Sequence, residues 1–264
     1  MWLKTRGEVL ENREVAPSVM KMLVLAPGAV QSLRPGQFFH VRWQEWSDPF
    51  LRRPLSAFSS DKQSGTLGLL FRVVGKGTSA MRRLAAGSHL DLLGPLGNGW
   101  PGPERGHAIM IAGGIGVAPL VMAAGQYAAA GVKVSFLLGA TTAGDLLATH
   151  DILATGASLS IATDDGTEGH HGFVTGLLPG AIAATPLGDT HVLACGPGPM
   201  LRAVQAISKD AGVDCFVSLE QRMGCGAGAC LGCVVRTSVP GPLYRKVCAD
   251  GPVFDARTVV IEDV

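Results

Sequence analysis

The sequence predicts a multi-domain chain: an antiparallel β-barrel, then an α/β domain with a parallel sheet, then a small C-terminal segment that binds metal. Three observations predict this order. Short apolar runs separated by turn residues fill the first third of the chain, and strands alternate with helices in the middle. Four cysteines crowd into residues 225–248. The length of 264 residues is enough for two domains and a small appendix.

The composition and charge pattern indicate a folded protein and argue against three classes: nucleic-acid-binding, membrane-spanning and secreted proteins. Hydrophobic residues make up 47% and charged residues 16%, so the chain can bury a sizeable core. A net charge of +1 argues against a nucleic-acid-binding protein, which would carry a basic face. Residues 108–132 carry no charge, but glycines and a proline interrupt them, so we expect no membrane span. The first 15 residues contain no apolar secretion segment, so we expect a cytoplasmic protein.

The barrel is predicted over residues 1–101. Its strand candidates are residues 23–26, 38–43, 67–74 and 89–93. A helix is expected over residues 78–86, with Thr78 as its N-cap. Four glycines and three prolines in residues 94–103 exclude a regular element and place the domain boundary there.

The α/β domain is predicted over residues 102–217. Its strand candidates are residues 107–112, 132–138, 158–162, 191–194 and 213–219, the last strand of the sheet. Helix candidates cover residues 117–130 and 200–209. Strands that alternate with helices imply a parallel sheet with crossover connections. Residues 218–264 then form the cysteine-containing segment.

The cysteine spacing carries the sharpest chemical information. The order Cys225-x4-Cys230-x2-Cys233 matches the first three ligands of a plant-type 2Fe–2S cluster, and Cys248 follows as a remote fourth cysteine. Only glycine and alanine separate the first two cysteines, which lets backbone N–H groups approach the cluster sulfides. Zinc bound by four thiolates stays open, although structural zinc sites usually use two short cysteine pairs.

Two segments of the predicted barrel are suited to a diphosphate. Arg53 can bind phosphate through two parallel hydrogen bonds, and Ser56 adds a hydroxyl donor. Gly77 and Thr78 open a predicted helix, whose first N–H groups bind anions. A surface role for the arginine stays open, but two phosphate-binding segments on one barrel favour a site.

Two glycine-containing turns follow strands of the predicted α/β domain. Residues 112–119 end a strand and open a helix, as a dinucleotide-binding loop does, although Pro119 departs from the full G-x-G-x-x-G pattern. Residues 195–200 also end a strand and open a helix. Because α/β sheets bind ligands beyond the carboxyl ends of their strands, both turns predict a nucleotide site. A turn that serves only packing remains the alternative.

These motifs, in this order, resemble those of the ferredoxin–NADP reductase superfamily. Residues 218–233 and 248–254 narrow the resemblance to the electron-transfer subunit of type B, NAD-dependent dihydroorotate dehydrogenase. The resemblance covers essentially the whole chain. It implies a barrel that binds FAD, an α/β domain that binds NAD as electron acceptor, and a 2Fe–2S segment that faces a catalytic partner.

The resemblance also implies site residues, and it implies no catalytic residue in this chain. The expected FAD contacts are Arg53, Pro54, Leu55, Ser56, Leu70, Phe71, Arg72, Gly77 and Thr78. The expected iron ligands are Cys225, Cys230, Cys233 and Cys248. The expected NAD positions are Gly113, Gly114, Gly116, Cys195, Gly196 and Pro197.

The implied function is electron transfer in pyrimidine (UMP) biosynthesis. An FMN-containing catalytic subunit would oxidise dihydroorotate and pass electrons singly to the 2Fe–2S cluster, then to FAD, and from there as hydride to NAD+. A flavin must stand between the two because NAD accepts a hydride whereas the cluster passes one electron at a time. The family implies a heterotetramer of two such chains on a catalytic dimer.

Two other functions stay open at this point. NAD(P)-binding subunits of bifurcating ferredoxin reductases and sulfhydrogenases are similar in the first two domains. Their cluster loop usually carries a lysine beside the second cysteine, where this chain has Ala229 and Leu231. The second alternative is a zinc-stapled nucleotide-binding module without electron flow.

Overall fold

A closed barrel forms the first part of the computed structural model, which describes residues 3–43, 48–102, 106–185 and 188–262. Its strands are β1 (Leu3–Ala16), β2 (Val19–Leu25), β3 (Phe38–Trp43), β4 (Arg53–Asp61), β5 (Thr66–Arg72) and β6 (His89–Leu96). The helices α1 (Pro27–Val30) and α2 (Lys76–Arg82) connect them. The strand order is β1-β2-β5-β4-β3-β6 with antiparallel pairing throughout, so the predicted antiparallel barrel is confirmed.

A seven-stranded sheet forms the second part. The remaining strands are β7 (His107–Gly113), β8 (Lys133–Ala140), β9 (Ser158–Thr163), β10 (His170–His171), β11 (Thr190–Cys195), β12 (Asp214–Ser218), β13 (Val234–Arg236), β14 (Tyr244–Lys246) and β15 (Val253–Asp255). The helices are α3 (Ala118–Ala129), α4 (Thr149–Ala154), α5 (Leu178–Ala183) and α6 (Gly198–Asp210), with 3-10 turns at Gly114–Val117, Ala143–Asp145, Val174–Leu177 and Ala256–Thr258. The sheet order is β10-β9-β8-β7-β11-β12-β15, and β13 pairs with β14 in a separate hairpin. The predicted parallel α/β domain is confirmed.

Two details of the sheet differ from the sequence expectation. The strand expected to end the sheet, β12, is followed at the edge by β15, which pairs antiparallel with it through Val217 and Phe254. A three-residue strand is too short for its periodicity to be recognised. The two-residue strand β10 pairs with β9 and has no counterpart among the predicted strands, and both of its histidines are exposed.

The expectation for helix α2 is wrong in its start and in the role of Thr78. The helix begins at Lys76 and ends at Arg82, and Gly75 is its N-cap. The Thr78 hydroxyl lies inside the first turn, where it accepts hydrogen bonds from the N–H groups of Val74 at 2.9 Å and Gly75 at 3.2 Å. Glycine has no side chain to cap with, so the threonine binds these N–H groups from the third helical position instead.

The boundary segment joins the domains rather than merely linking them. Trp100 donates its indole N–H to the Pro119 carbonyl at 2.7 Å, at the start of α3. The N–H of Asn98 donates to the Gly251 carbonyl in the C-terminal segment at 2.6 Å. One apolar cluster contains Phe58 of the barrel together with Val121 of α3. The three parts therefore pack against one another; Pro103 of the boundary segment lies outside the described residues.

Strand β3 carries the contact between the barrel and the C-terminal segment. Its side chains alternate as strand geometry requires, and Phe39 and Val41 pack inside the barrel. Phe38 points outward and packs in the same cluster as Cys233 and Phe254. The cysteine segment is therefore seated on the outer face of the barrel. Over the described ranges, no helix combines the length and the apolar character needed to cross a membrane.

Candidate cofactor sites

The four clustered cysteines lie in one loop and one turn of the C-terminal segment. Cys233 and Cys248 are buried, Cys225 is half-buried and Cys230 is exposed. The N–H of Val247 donates to the Cys233 carbonyl at 2.9 Å, so the hairpin β13–β14 brings the remote fourth cysteine to the third. The pairing of these two strands therefore places Cys248 near Cys233, although the two cysteines are well separated in the sequence.

Backbone N–H groups point at the sulfur atoms of this loop. Ala227 and Cys230 donate to the Cys225 Sγ at 3.4 Å each, and Gly228 donates to the Cys248 Sγ at 3.2 Å. The loop can turn its N–H groups inward because Gly226 has φ +69° and Gly228 has φ +78°, which favour glycine. Hydrogen bonds of this kind stabilise thiolates and tune the potential of iron–sulfur clusters.

The four thiols form two contacting pairs, Cys225 with Cys230 and Cys233 with Cys248. Burial alone would raise the pKa of Cys225, but the backbone N–H donors and the Cys230 side chain lower it to about 6. Burial and contact with the Cys233 thiol raise the pKa of Cys248 to about 12. Four thiols in two contacting pairs fit a two-iron cluster, in which each iron takes two thiolates. In the part of the chain that the structure describes, no three His, Cys, Asp or Glu side chains are arranged to hold a metal ion.

A cleft of about 440 Å³ separates the cysteine loop from the barrel. Gln37 and Gly97 line it on the barrel side, and Gly226, Ala227 and Cys248 line it on the loop side. The amide of Gln37 donates to the Gly97 carbonyl at 2.7 Å and holds that wall together. The cysteine loop is therefore a direct neighbour of the barrel.

The two predicted phosphate-binding segments of the barrel come together in space. A Cβ placed on Gly77 would overlap the Arg53 guanidinium, so the arginine of β4 lies over the first turn of α2. Arg53 also donates to the Leu51 carbonyl. Its neighbour Arg52 is used differently: it pairs with the buried Asp91 carboxylate at 2.5 Å and also donates to the Asp91 carbonyl at 2.9 Å. Arg53 is therefore the arginine available to a ligand.

The other expected FAD residues on β4 and β5 divide into three groups. Pro54 and Ser56 lie on β4 with half-buried or exposed side chains, and Arg72 ends β5 half-buried. Leu55 and Phe71 pack in the barrel core, which leaves mainly their backbone atoms for a ligand. Leu70 belongs to the apolar cluster between the barrel and α3 and lies at the domain junction.

A groove of about 550 Å³ at the start of α2 adds residues that the sequence analysis missed. Gly75, Lys76 and Ser79 line it, together with Val74 and Arg83. The Lys76 ammonium is exposed and lies 3.3 Å from the Asp48 carboxylate. Lys76 beside the Gly77-Thr78 pair is the sequence feature that could have identified these residues, because a cation in that turn favours phosphate.

The two glycine-containing turns of the sheet also meet. The strands β7 and β11 are neighbours in parallel register, with Ala112 opposite Cys195, so their carboxyl ends coincide. A Cβ on Gly113 would lie 2.8 Å from the Pro197 Cδ, and one on Gly116 would lie 2.8 Å from the Gly196 nitrogen. Only glycine permits this approach. The two turns therefore meet at the carboxyl ends of the strands, the edge of the sheet at which α/β proteins bind nucleotides.

Two further residues of these turns are Gly114, which contributes its backbone conformation, and Cys195, which contributes a buried thiol. Gly114 has φ +53°, the left-handed region that a tight turn uses. Burial, with the Glu220 charge adding to it, raises the pKa of Cys195, so its thiol stays neutral. A neutral buried thiol contributes packing and polarizability rather than charge.

Gly116→Ala is expected to weaken NADH binding and to lower the free energy of unfolding by about 1–3 kcal/mol, as overpacking does. The added Cβ would lie 2.5 Å from the Cys195 carbonyl carbon and would push the two turns apart. Urea unfolding and NADH titration measure the two effects. Gly125→Ala is the matched control: its Cβ meets Thr155 Cγ2 at 3.8 Å, and in helix α3 it should stabilise by about 0.5–1 kcal/mol. Unchanged NADH affinity in Gly116→Ala would contradict the placement.

Three family models match successive parts of the chain. Residues 6–100 match an oxidoreductase FAD-binding domain and residues 110–206 an oxidoreductase NAD-binding domain. Residues 220–260 match the iron–sulfur cluster binding domain of dihydroorotate dehydrogenase B.

Curated relatives match over the full length. The dihydroorotate dehydrogenase B (NAD(+)) electron transfer subunit of Geobacillus thermodenitrificans is 39% identical over 98% of this chain and 99% of its own length. The subunit of the same name from Bacillus caldolyticus is 42% identical over 98% of this chain and 99% of its own length.

Solved structures share the fold. The NADH-dependent reduced ferredoxin-NADP oxidoreductase, described in a study of flavin-based electron bifurcation, superimposes with a TM-score of 0.86 at 28% identity, over 97% of this chain and 90% of that one. A ferredoxin NADP+ reductase from Neisseria gonorrhoeae superimposes with a TM-score of 0.65 at 17% identity, over 80% and 92%. The second likeness concerns the fold alone.

Proposed function

The chain belongs to the family of electron transfer subunits of dihydroorotate dehydrogenase B (NAD(+)), and from this premise we propose how its three parts act together. It is an oxidoreductase subunit with FAD-binding, NAD-binding and iron–sulfur cluster binding domains, and it passes electrons to NAD+ in pyrimidine biosynthesis. The relatives are named as electron transfer subunits, and this name implies a catalytic partner subunit. When bound, the flavin exchanges a hydride with NAD and single electrons with the cluster.

Each part of the chain has its own task in this proposal. Cys225, Cys230, Cys233 and Cys248 hold a 2Fe–2S cluster, because their thiols form two pairs with N–H donors directed at the sulfurs. The observation that carries the function is the position of this loop on the outer face of the barrel that matches an FAD-binding domain. A cluster beside the flavin domain suits electron transfer between the two.

The flavin and nucleotide residues orient their ligands. Arg53, with the first turn of α2, neutralises and fixes the flavin diphosphate, while the other barrel residues pack along the flavin. The remaining expected contacts on this domain are Pro54, Leu55, Ser56, Leu70, Phe71, Arg72, Gly77 and Thr78. The two glycine-containing turns of the sheet, which have few bulky side chains, hold the NAD pyrophosphate. Those turns contain Gly113, Gly114, Gly116, Cys195, Gly196 and Pro197.

Assembly and boundaries belong to the proposal as well. We place an FMN-containing catalytic subunit opposite this chain, in a heterotetramer of two chains of each kind. Domain boundaries near residues 101 and 217 agree with the end of the barrel at Leu96 and of β12 at Ser218, although β15 returns to the second domain. A cytoplasmic location suits the six cysteines, none of which forms a disulfide.

The test is a reconstitution with the subunit that co-purifies with the chain. Under anaerobic conditions, addition of dihydroorotate and NAD+ is expected to produce orotate and NADH in equal amounts. The chain alone is expected to be coloured and to contain flavin, iron and acid-labile sulfide. Zinc without sulfide would support a structural module and would overturn the redox function.

A second candidate function has one specific observation in its favour. The structure described in connection with flavin-based electron bifurcation covers 97% of this chain at 28% identity. In the same reconstitution, ferredoxin-linked rather than dihydroorotate-linked reduction would favour a bifurcating reductase subunit.

A further inference from the structure

His40 is a buried polar residue that the proposed sites leave unused. Its side chain is fully buried on β3, and neither ring nitrogen has a hydrogen-bond partner in the described part of the chain. Buried polar side chains in native proteins are almost always hydrogen-bonded, because an unpaired one loses its hydrogen bonds to water and gains none in the protein, which costs free energy. The ring therefore needs a hydrogen-bond partner that the described residues do not supply.

Strand alternation directs the ring out of the barrel and onto the cysteine loop. Phe39 and Val41 fill the barrel core, so His40 between them faces outward. A Cβ placed on Gly226 would lie 2.5 Å from the His40 Nδ1 and 3.2 Å from its Cε1. The imidazole thus packs against the backbone next to the proposed ligand Cys225. It also lies near the Cys225 carbonyl, but without the geometry of a hydrogen bond.

The backbone of His40 lies beside residues of the proposed flavin site. In the β3–β4 register His40 stands opposite Pro54, next to Arg53. Whether neutral or protonated, an imidazole ring carries at least one N–H donor. One residue therefore belongs to the flavin barrel by its backbone and to the cluster loop by its side chain.

We propose that His40 is a positioning residue for the iron–sulfur cluster, which seats the Cys225–Gly226 turn on the barrel and donates its ring N–H to a sulfur of the bound cluster. The proposal rests on the ligand set proposed above. A donor to sulfur stabilises the reduced cluster, which carries one more negative charge, so it raises the reduction potential. The contact would match the cluster potential to the neighbouring flavin.

The test compares His40→Phe, which fills the space without a donor, with His40→Gln, which keeps an N–H. Phe38→Leu is the control, because Phe38 lies on the same outer face of β3 and has no polar atom. For each full-length protein, iron, sulfide and FAD content, the midpoint potential of the cluster and the electron paramagnetic resonance of its reduced form are measured. Electron–nuclear double resonance in D2O then detects exchangeable protons near the cluster.

We expect His40→Phe to lower the cluster potential and to lose one exchangeable proton coupling, with FAD content unchanged. His40→Gln and Phe38→Leu should stay near the unsubstituted protein. Loss of the cluster from His40→Phe with a native-like cluster in His40→Gln also supports the proposal. Equal potentials in the two His40 variants, or loss of the cluster from both, overturns it. Absence of iron and sulfide from the unsubstituted protein would instead overturn the proposed ligands.

Discussion

Cys230→Ala is expected to abolish dihydroorotate-linked NAD+ reduction while FAD stays bound. The variant removes one of four thiolates, and a cluster with an open iron site loses iron and sulfide. Cys230 is exposed and its side chain contacts Cys225 in the cysteine loop, so the barrel and the sheet should remain folded. Iron, acid-labile sulfide and flavin per chain are the direct measurement, and NADH oxidation by an artificial acceptor reports the remaining flavin.

Cys215→Ala provides the matched control for this experiment. Cys215 is also an unpaired cysteine, but it lies buried on β12 outside the cysteine loop. Burial raises the pKa of its thiol to about 12, and it lies on a strand of the sheet, outside the cysteine pattern of residues 225–248. The control should keep its iron, sulfide and activity. Full iron and sulfide in Cys230→Ala would remove Cys230 from the ligand set.

Arg53→Ala is expected to weaken FAD binding about 10- to 100-fold. A charged hydrogen bond to phosphate contributes about 1.5–3 kcal/mol, and the arginine lies over the first turn of α2, where a diphosphate would be held. Arg53→Lys keeps the charge but not the two parallel hydrogen bonds, so an intermediate affinity is expected. Titration of the flavin-free protein with FAD, followed by fluorescence, measures the dissociation constant.

Arg82→Ala tests whether any lost arginine would have the same effect. Arg82 ends α2 and pairs with Glu14 at 2.7 Å on the surface, away from the start of the helix. Its removal should leave the FAD affinity unchanged and stability within about 1 kcal/mol. If Arg53→Ala and Arg82→Ala bound FAD equally well, the diphosphate site would have to lie elsewhere.

The predictable part of the molecule rests on short-range patterns. Apolar alternation and glycine turns predict the barrel and the parallel sheet, and both are confirmed, because strand and helix periods extend over only a few residues. The prediction of FAD, NAD and iron–sulfur binding is confirmed by the family models. The spacing around Cys225 and Cys230 was informative for the same reason, since a cluster-binding loop is local.

Other features had no local signature. Arg52 and Arg53 are adjacent and chemically identical in the sequence, yet one pairs with the buried Asp91 and the other faces α2. Successive residues of a strand point to opposite faces, so their roles depend on which partner each face meets. Thr78 was wrongly assigned as the N-cap, because the N-cap is Gly75, three residues earlier and in extended conformation.

The order of residues alone predicted the groups that carry the chemistry: four cysteines in a cluster-binding pattern, an arginine suited to phosphate, and glycine turns at strand ends. Tertiary structure alone decided which of these groups meet. His40 and Gly226 are far apart along the chain, and so are β12 and β15, and no pattern in the intervening residues brings them together. Such contacts arise when whole domains bury their apolar faces against each other, and that packing depends on the complete chain.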